Sequence, residues 1–438
     1  MSIFRKLSSV FPSLLRRGLG WLSDAAYVWR FEISQVIRDE GVLLFCLVVP
    51  LLYPMLYSWI YNNEVVHEVP VAVVDLSHSH QSRQFIRMCD ASPDVRVAYY
   101  AVDLDDAQSL VSRQVVKGIY FIPEDFATHL NRLEQGTISV YCDMALMLTY
   151  KAIYQTAMAV SQEMGAEIQK KLAGNYTVRE DLITTSPLEV TDVAIFNPQG
   201  GYGSSVLPAV LILIIQQTLV LGIGLAAGTA RERSRYSDLV PIHRCYSSVM
   251  RIICGKALCY LMVYAVMGTF LILVVPRIFH FPQLAAWQDL LAMMIPYLLS
   301  CVFFGMTVSC LVHYRENVML LVVFLSLPLL FLSGISWPQS AIPGYWQGVS
   351  WLFPCTFGIR AYTRLNSMGA TLGDVVFEVR CLWALVVFYL FMAYLVYGFE
   401  MRLSRRHSKE RMAVLQKKRQ VRSVLKEKPS INIANKKI

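Results

Sequence analysis

Charged residues are scarce in this chain. Only 16% of its 438 residues are charged, whereas a soluble globular protein carries about 25%. The shortfall is concentrated in uncharged runs long enough to cross a bilayer, which requires about 20 apolar residues. The composition therefore argues against an ordinary soluble enzyme and predicts an integral membrane protein.

Nucleotide-binding and catalytic motifs are also missing. The chain has no G-x-x-x-x-G-K-[ST] loop, so it does not hold ATP in the P-loop manner. Its ten cysteines form no C-x-x-C pair or Cys/His cluster that would suggest a metal. We therefore predict no catalytic residue, metal ligand or cofactor in this chain. The apolar runs also lack the central acidic or lysine residues of a proton-coupled carrier, so another chain must power any transport.

The chain does contain six uncharged apolar runs in a one-plus-five arrangement. They are Gly41–Ile60, Val206–Gly228, Ala257–Val275, Leu290–Val312, Val318–Ile335 and Leu382–Phe399. Forty residues precede the first run, which has no small-residue cleavage site, so we expect a retained anchor rather than a removed signal. The predicted fold is a polytopic α-helical membrane protein of six transmembrane helices with an inserted α/β extracytoplasmic domain.

Predicted domain boundaries follow from this arrangement. They are an amphipathic connecting helix (1–40), the first transmembrane helix (41–60), the extracytoplasmic α/β domain (61–205), a five-helix transmembrane domain (206–400) and a basic tail (401–438). Within the insert, strand signals such as Val69–Asp75 alternate with helix signals such as Ser79–Asp90, which predicts a mixed sheet. The insert also contains Cys89 and Cys142, and the sequence leaves open whether they pair.

An unusually long uncharged segment extends from Asn317 to Ile359. It is too long for one span, and Ser333-Gly334 and Phe353-Pro354 interrupt it. Non-helical backbone at membrane depth is tolerated only where it is buried in protein or lines a cavity. We therefore predict short re-entrant helices in 336–359, after the fifth span and on the outer side.

Basic residues predict the orientation. Lys and Arg near span ends mark the cytoplasmic side, and residues 402–438 carry 13 Lys or Arg and 2 Glu. The first 40 residues and the loop after the second span are also rich in Arg. Both termini are thus predicted in the cytoplasm and the insert outside. A basic tail next to a span is more typical of contact with anionic lipid than with nucleic acid.

Several short patterns occur in a specific order between Arg30 and Phe399. They are Glu32 with Arg38-Asp39, Ala72–Ser79, Gly118–Phe126, Phe196-Asn197-Pro198, Arg231-Glu232-Arg233, and Ser333-Gly334 with Pro338, Ile342-Pro343 and Phe353-Pro354. In this order they resemble the permease subunit of type-2 ABC exporters, in the subgroup with a large periplasmic domain after the first span. The resemblance covers most of the chain.

The resemblance implies a permease of the bacterial inner membrane that exports an amphipathic or hydrophobic cargo, drug-like or lipid-like. It implies a homo- or heterodimer of permeases, with ATP and Mg bound by a separate ATPase subunit, and it leaves room for a periplasmic adaptor and an outer-membrane channel. The implied ATPase-coupling residues are Glu32, Arg38, Asp39, Arg231, Glu232 and Arg233. The implied translocation-path residues are Gln216, Gln217, Pro328, Gly334 and Pro338. The adjacent amides Gln216 and Gln217 either contact substrate or hydrogen-bond across helices.

Two other hypotheses remain. A membrane sensor would bind a ligand outside and signal inward, but it would need an output domain larger than the basic tail. A membrane acyltransferase would need paired catalytic residues at the interface, and none stands at a recognised spacing. An export permease differs from both in requiring an ATPase partner.

Overall fold

The structure, a computed structural model, describes residues 23–427 with gaps at 63–64, 133, 175–176, 187–194, 198–200, 235–237, 240–247 and 335. The described chain divides into two compact units. The helical unit lies within Met1–Asn62 and Tyr202–Ile438, and the α/β unit lies within Asn63–Gly201. In sequence, the α/β unit falls inside the predicted insert.

The helical unit begins with two helices joined at Asp39. Helix α1 comprises residues 23–38, and α2 runs over Glu40–Ile60. Within α2, residues Leu44–Val48 form a π-helical turn directly before Pro50. Proline has no amide hydrogen and its ring clashes with the preceding turn, so a wider turn at this point accommodates it.

The α/β unit contains one four-stranded sheet among its described residues. Its elements are β1 (Val69–Asp75), α3 (His80–Asp90), β2 (Val95–Tyr100), α4 (Leu104–Ser112), β3 (Gly118–Ile122), α5 (Phe126–Asn131), β4 (Ser139–Cys142), α6 (Met147–Ala173) and α7 (Val178–Thr185). The strand order is β2-β1-β3-β4, with β4 antiparallel to β3 and the other pairs parallel. Alternate residues of β1 face opposite cores. Val71 and Val73 pack toward α3 and α6, whereas Ala72 and Val74 pack toward α4.

Two polar features of the α/β unit bear on its chemistry. Cys89 and Cys142 are both free thiols in the structure. The carboxylate of Asp75 is engaged in the turn that follows β1, where it accepts the amide hydrogen of His78 at 3.1 Å and the hydroxyl of Ser82 at 2.8 Å. The Asp75 carboxylate therefore stabilises the turn that connects β1 to α3.

Six helices of the described chain are long and apolar enough to cross a membrane. They are α2, α8 (Tyr202–Arg233), α9 (Val249–Ile278), α10 (Trp287–Leu311), α11 (Arg315–Leu332) and α14 (Val376–Glu427). The six predicted spans are thereby confirmed, and the chain is a polytopic helical membrane protein. In α9, as in α2, a π-helical turn (Phe270–Val274) directly precedes a proline-containing turn, at Pro276.

The second and fourth spans form the centre of the helical unit. In their most apolar stretches, 83% of α8 and 72% of α10 is buried inside the chain, against 17% of α11. Helix α8 packs against α2, α9, α10 and α11. The outer face of α11 exposes Val323, Phe324 and Leu327, which suits contact with lipid or with another membrane helix.

Two short helices follow the fifth span. Helix α12 is Gly344–Ser350 and α13 is Pro354–Met368. Helix α13 continues past the predicted end of this segment at residue 359, because it stops only at Gly369, which adopts the left-handed conformation (φ +63°). Arg364 lies in α13 beyond residue 359, the predicted end of the re-entrant segment. Its Nη1 is paired with Glu378 Oε1 at 2.9 Å.

The sixth span and the predicted basic tail form one helix in the described chain, α14, which extends to Glu427. No glycine or proline occurs between Gly398 and Pro429, and the Arg, Lys, Gln and Leu residues there favour helix. The predicted division at residue 401 is therefore a change of polarity and not a break in secondary structure.

Candidate functional site

One end of the helical unit holds a group of mostly buried polar side chains, all but one of them charged. This is the end where α1 meets α2. Helices α8 and α10 end here, and helices α9 and α11 begin here. We call the group the polar cluster. Its members are Glu32, Asp39, Thr229, Arg231, Lys256, Arg315 and Glu400. A charge removed from water is costly unless it is paired, so the pairs show how the helices are joined.

Asp39 ties the α1–α2 junction to α8 and α11. Its Oδ1 accepts the amide hydrogens of Gly41 (3.1 Å) and Val42 (3.3 Å), which caps the start of α2. Thr229 donates its hydroxyl to Oδ2 at 2.6 Å, and Arg315 Nη2 lies 3.1 Å from Oδ1. Burial raises the pKa of this carboxyl, but the Thr229 hydroxyl, the Val42 amide, Arg315 and the Gly41 amide outweigh burial, so the pKa lies below its usual value. Asp39 is therefore charged near neutral pH.

Arg231 ties the end of α8 to α10 and α14. Its side chain is 2% exposed and lies 2.9 Å from Glu400 Oε1. Its guanidinium also donates to the carbonyl oxygens of Ser309 (3.1 Å), Cys310 (3.0 Å) and Val312 (2.6 Å). The last carbonyls of a helix have no partner within that helix, and the forked guanidinium suits several acceptors at once. Arg231 thus caps the end of α10 and neutralises a carboxylate of α14.

A second buried pair holds α1 against α9. Lys256 Nζ donates to Glu32 Oε1, and the side chains of both residues are at most 10% exposed. The two helices approach closely beside this pair, because a Cβ built on Gly255 would lie 2.7 Å from the Cβ of Val28. The position therefore requires glycine, and α1 is fixed to α9 both by packing and by charge.

The structure divides the six predicted coupling residues into two groups. Arg38, Glu232 and Arg233 are exposed, whereas Glu32, Asp39 and Arg231 are buried. A buried side chain does not touch a docked subunit, so a coupling role of these three would act through the helices that they join, and that role stays a prediction. Direct contact through the three exposed residues stays a prediction. Most of the loop that follows α8 lies outside the described residues.

Sequence reasoning missed four members of the polar cluster. Lys256 and Glu400 directly flank two of the uncharged runs, and Arg315 lies between the fourth and fifth runs. Their position beside apolar runs was an available signal, because a charge at the end of a span needs water, lipid headgroups or a partner. Thr229 carried no such signal, since its role depends on the distant carboxylate of Asp39.

The predicted translocation-path residues lie in different environments. Gln216 is 1% exposed and its Oε1 accepts the amide hydrogen of Cys355 at 2.7 Å, so it holds the start of α13. Gln217 is half-buried, and its Nε2 finds no hydrogen-bond partner in the described part of the chain. Pro328 and Pro338 are exposed. The contact of Gln216 favours the cross-helix role over substrate contact.

Close packing of α8 on α11 leads to a prediction. The G-x-x-x-G pattern of Gly224 and Gly228 faces the start of α11, and such small residues allow membrane helices to approach. A Cβ on Gly224 would lie 2.4 Å from Val318 Cγ1. Gly224→Leu is therefore expected to lower the free energy of unfolding by roughly 1–3 kcal/mol, measured by thermal unfolding in detergent. Gly348→Leu is the control, because a Cβ there meets no described atom within 4 Å, and equal losses in both variants would contradict the contact.

Comparison with known proteins bears on this helical unit. Residues 41–395 match the family described as ABC-2 family transporter protein. The chain belongs to this family. The ABC-2 transporter is also similar to the probable multidrug ABC transporter permease YbhR of Escherichia coli K12, and to the protein of the same name in Escherichia coli O157:H7. Each is 20% identical over 367 residues, which cover 82% of this chain and 93% of the relative.

Family membership gives the polytopic fold a function. An ABC-2 transporter chain of this kind is a membrane permease subunit, which is generally non-catalytic and works with an ATPase subunit. The resemblance to type-2 ABC permeases is confirmed. The sensor and acyltransferase hypotheses receive no support from this family.

Proposed function

We propose that this ABC-2 permease exports an amphipathic or hydrophobic molecule, drug-like or lipid-like, across the bacterial cytoplasmic membrane. A separate subunit would bind Mg and hydrolyse ATP. The name of its relatives, probable multidrug permeases, supports this cargo class. The concentration of Lys and Arg supports an orientation with both termini and the polar cluster in the cytoplasm and the α/β unit in the periplasm.

The observation that carries the proposal is the polar cluster. Exposed Arg38 directly precedes buried Asp39, and exposed Glu232 directly follows buried Arg231. A subunit docked on the exposed side chains would move α1 and the end of α8. Because breaking a buried pair is costly, the pairs of the polar cluster would pass this motion to α9, α10, α11 and α14 as a unit.

A second permease, identical or related, would complete the translocation path. The exposed apolar face of α11 is suited to a path or a dimer contact. Helices α12 and α13 would form the re-entrant segment, with exposed Trp337, Tyr345 and Trp346 near the outer interface. Gln217, Pro328, Gly334 and Pro338 remain proposed path residues. The basic part of α14 would meet anionic lipid, and an adaptor with an outer-membrane channel would meet the α/β unit.

Co-purification tests the coupling role. Replacing both Glu232 and Arg233 with alanine is expected to reduce the co-purifying ATPase subunit about tenfold, the effect of losing about 1.4 kcal/mol of binding. The measurement is quantitative mass spectrometry of gently solubilised complexes, together with ATP turnover. Arg113→Ala, an exposed charge in the α/β unit, is the control. An unchanged ATPase yield in the double variant, or no ATPase with the unaltered chain, would overturn the proposal.

A further inference from the structure

The α/β unit contains a groove that the proposed coupling does not use. It lies between α5, β4 and α6 and has a volume of about 650 Å³, within the range of about 300–1,000 Å³ that is typical of small-molecule sites. Buried Phe85, Phe126 and Met164 line it where it meets the core. Tyr154 and Met158 also line it and are exposed.

Gly165 indicates that the open space in this groove is maintained. The residue lies inside the 27-residue helix α6 and lines the groove. Glycine in a helix interior is destabilising relative to alanine, and glycine is usually retained there to allow a close approach. At Gly165, apart from its two chain neighbours and the adjacent backbone of α6, no described atom lies within 4 Å of an added Cβ. Packing within the described chain therefore gives no reason for glycine here, whereas a ligand in the groove does.

The lining defines the chemistry of that ligand. Most lining side chains are apolar, and two are methionines, whose flexible thioethers adapt to varied partners. The lining contains no Lys, Arg or His, and its one charged residue is Glu134. Glu134 Oε2 lies 2.6 Å from His129 Nδ1, and His129 Nε2 lies 3.0 Å from Asp125 Oδ2. Two carboxylates thus share one imidazole, so this rim remains negative even when His129 is protonated.

We propose that this groove binds an amphipathic molecule of drug size with an apolar body and a neutral or cationic head. The lining combines apolar side chains with polar ones, among them Gln135, Ser161 and Gln169, and small-molecule sites usually contain both kinds. The negative rim disfavours anionic ligands. The inference rests on the proposed export function only in making this molecule a transport substrate, because binding requires neither ATP nor the ATPase subunit.

Binding to the purified full-length permease, without its ATPase, tests the groove. The probes are rhodamine 6G, a cationic amphipath, and 1-anilinonaphthalene-8-sulfonate, an anionic one, titrated by fluorescence anisotropy against empty nanodiscs. Gly165→Phe places a ring in the groove and is expected to raise the Kd of rhodamine 6G about tenfold. Ala159→Phe adds the same ring to an exposed position of α6 outside the groove and is expected to leave the Kd unchanged. The anionic probe is expected to bind more weakly and to be insensitive to Gly165→Phe.

A smaller substitution at the same position distinguishes a loss of binding from a loss of folded protein. Gly165→Ala adds one methyl group in open space and improves helix propensity, so a smaller rise in Kd is expected without loss of folded protein. Equal Kd values in the unaltered chain, Gly165→Ala and Gly165→Phe would overturn the groove assignment, as would equal binding of the anionic probe. Saturable, Gly165-dependent binding without ATP-driven transport of the probe would instead contradict export and leave the groove in place.

Discussion

Replacing Arg231 with methionine is expected to lower the free energy of unfolding of the helical unit by about 3–5 kcal/mol. The change leaves Glu400, which is 8% exposed, without its cationic partner. It also removes the donors for the carbonyl oxygens of Ser309, Cys310 and Val312 at the end of α10. Unpaired buried groups retain their full desolvation penalty. The measurement is the unfolding midpoint of the purified permease in detergent, followed by tryptophan fluorescence.

Two further variants make this result specific. Arg233→Met alters an exposed arginine two residues further along the chain, which donates to Gln35 Oε1 at 3.4 Å. This change is expected to cost about 1 kcal/mol or less. Arg231→Lys keeps the charge but lacks the planar fork, so its stability is expected to fall between those of the other two. If Arg231→Met and Arg233→Met unfold at the same temperature, Arg231 does not cap α10.

Replacing Lys256 with methionine is also expected to lower the free energy of unfolding strongly. It leaves the carboxylate of Glu32 buried against α9 without a partner, and the expected loss is again about 3–5 kcal/mol. The double variant Glu32→Leu with Lys256→Met is expected to recover most of this loss, because apolar residues of similar volume commonly replace a buried ion pair at little cost. Thermal unfolding of the unaltered chain, Glu32→Leu, Lys256→Met and the double variant forms a complete double-mutant cycle.

A less deeply buried pair on the same two helices provides the matched control. Arg251 Nη1 lies 2.5 Å from Asp24 Oδ2, and the two side chains are 27% and 23% exposed. Arg251→Met is therefore expected to destabilise less than Lys256→Met. A double variant of Glu32 and Lys256 no more stable than Lys256→Met would show that the two residues do not act as a pair. If the double variant is stable but no longer changes the ATP turnover of the co-purified ATPase subunit, the pair also serves coupling.

Local signals in the sequence account for most individual elements. The uncharged runs located all six spans, and the buried run Val69–Asp75 located β1. The signal for α7 was present but was not used. Thr177 and Glu180 form a capping box, in which Glu180 N–H donates to Thr177 Oγ1 at 3.3 Å and Thr177 N–H donates to Glu180 Oε2 at 3.2 Å. The absence of glycine and proline after Gly398 likewise indicated that α14 would continue.

The candidate site was less predictable than the elements. The sequence singled out Asp39 and Arg231 as ATPase-coupling residues through the resemblance, but it did not indicate that both are buried. In the structure Asp39 caps α2 and binds Thr229, while Arg231 caps α10. Gln216 is similar, because its acceptor role depends on Cys355, 139 residues away. Whether a polar side chain near a span end is exposed or buried depends on neighbours that local sequence does not reveal.

By itself, the sequence determined that this protein has six segments able to span a membrane, because hydrophobicity summed over about 20 consecutive residues decides whether a segment can cross a bilayer. That quantity is a property of local sequence. Only the tertiary structure decided which charges form the polar cluster. Its ion pairs join residues separated by 169 (Arg231 and Glu400), 224 (Glu32 and Lys256) and 276 positions (Asp39 and Arg315). A charge can be buried only where a distant helix supplies its partner, so the packing of the helices, and no local pattern, selected these residues.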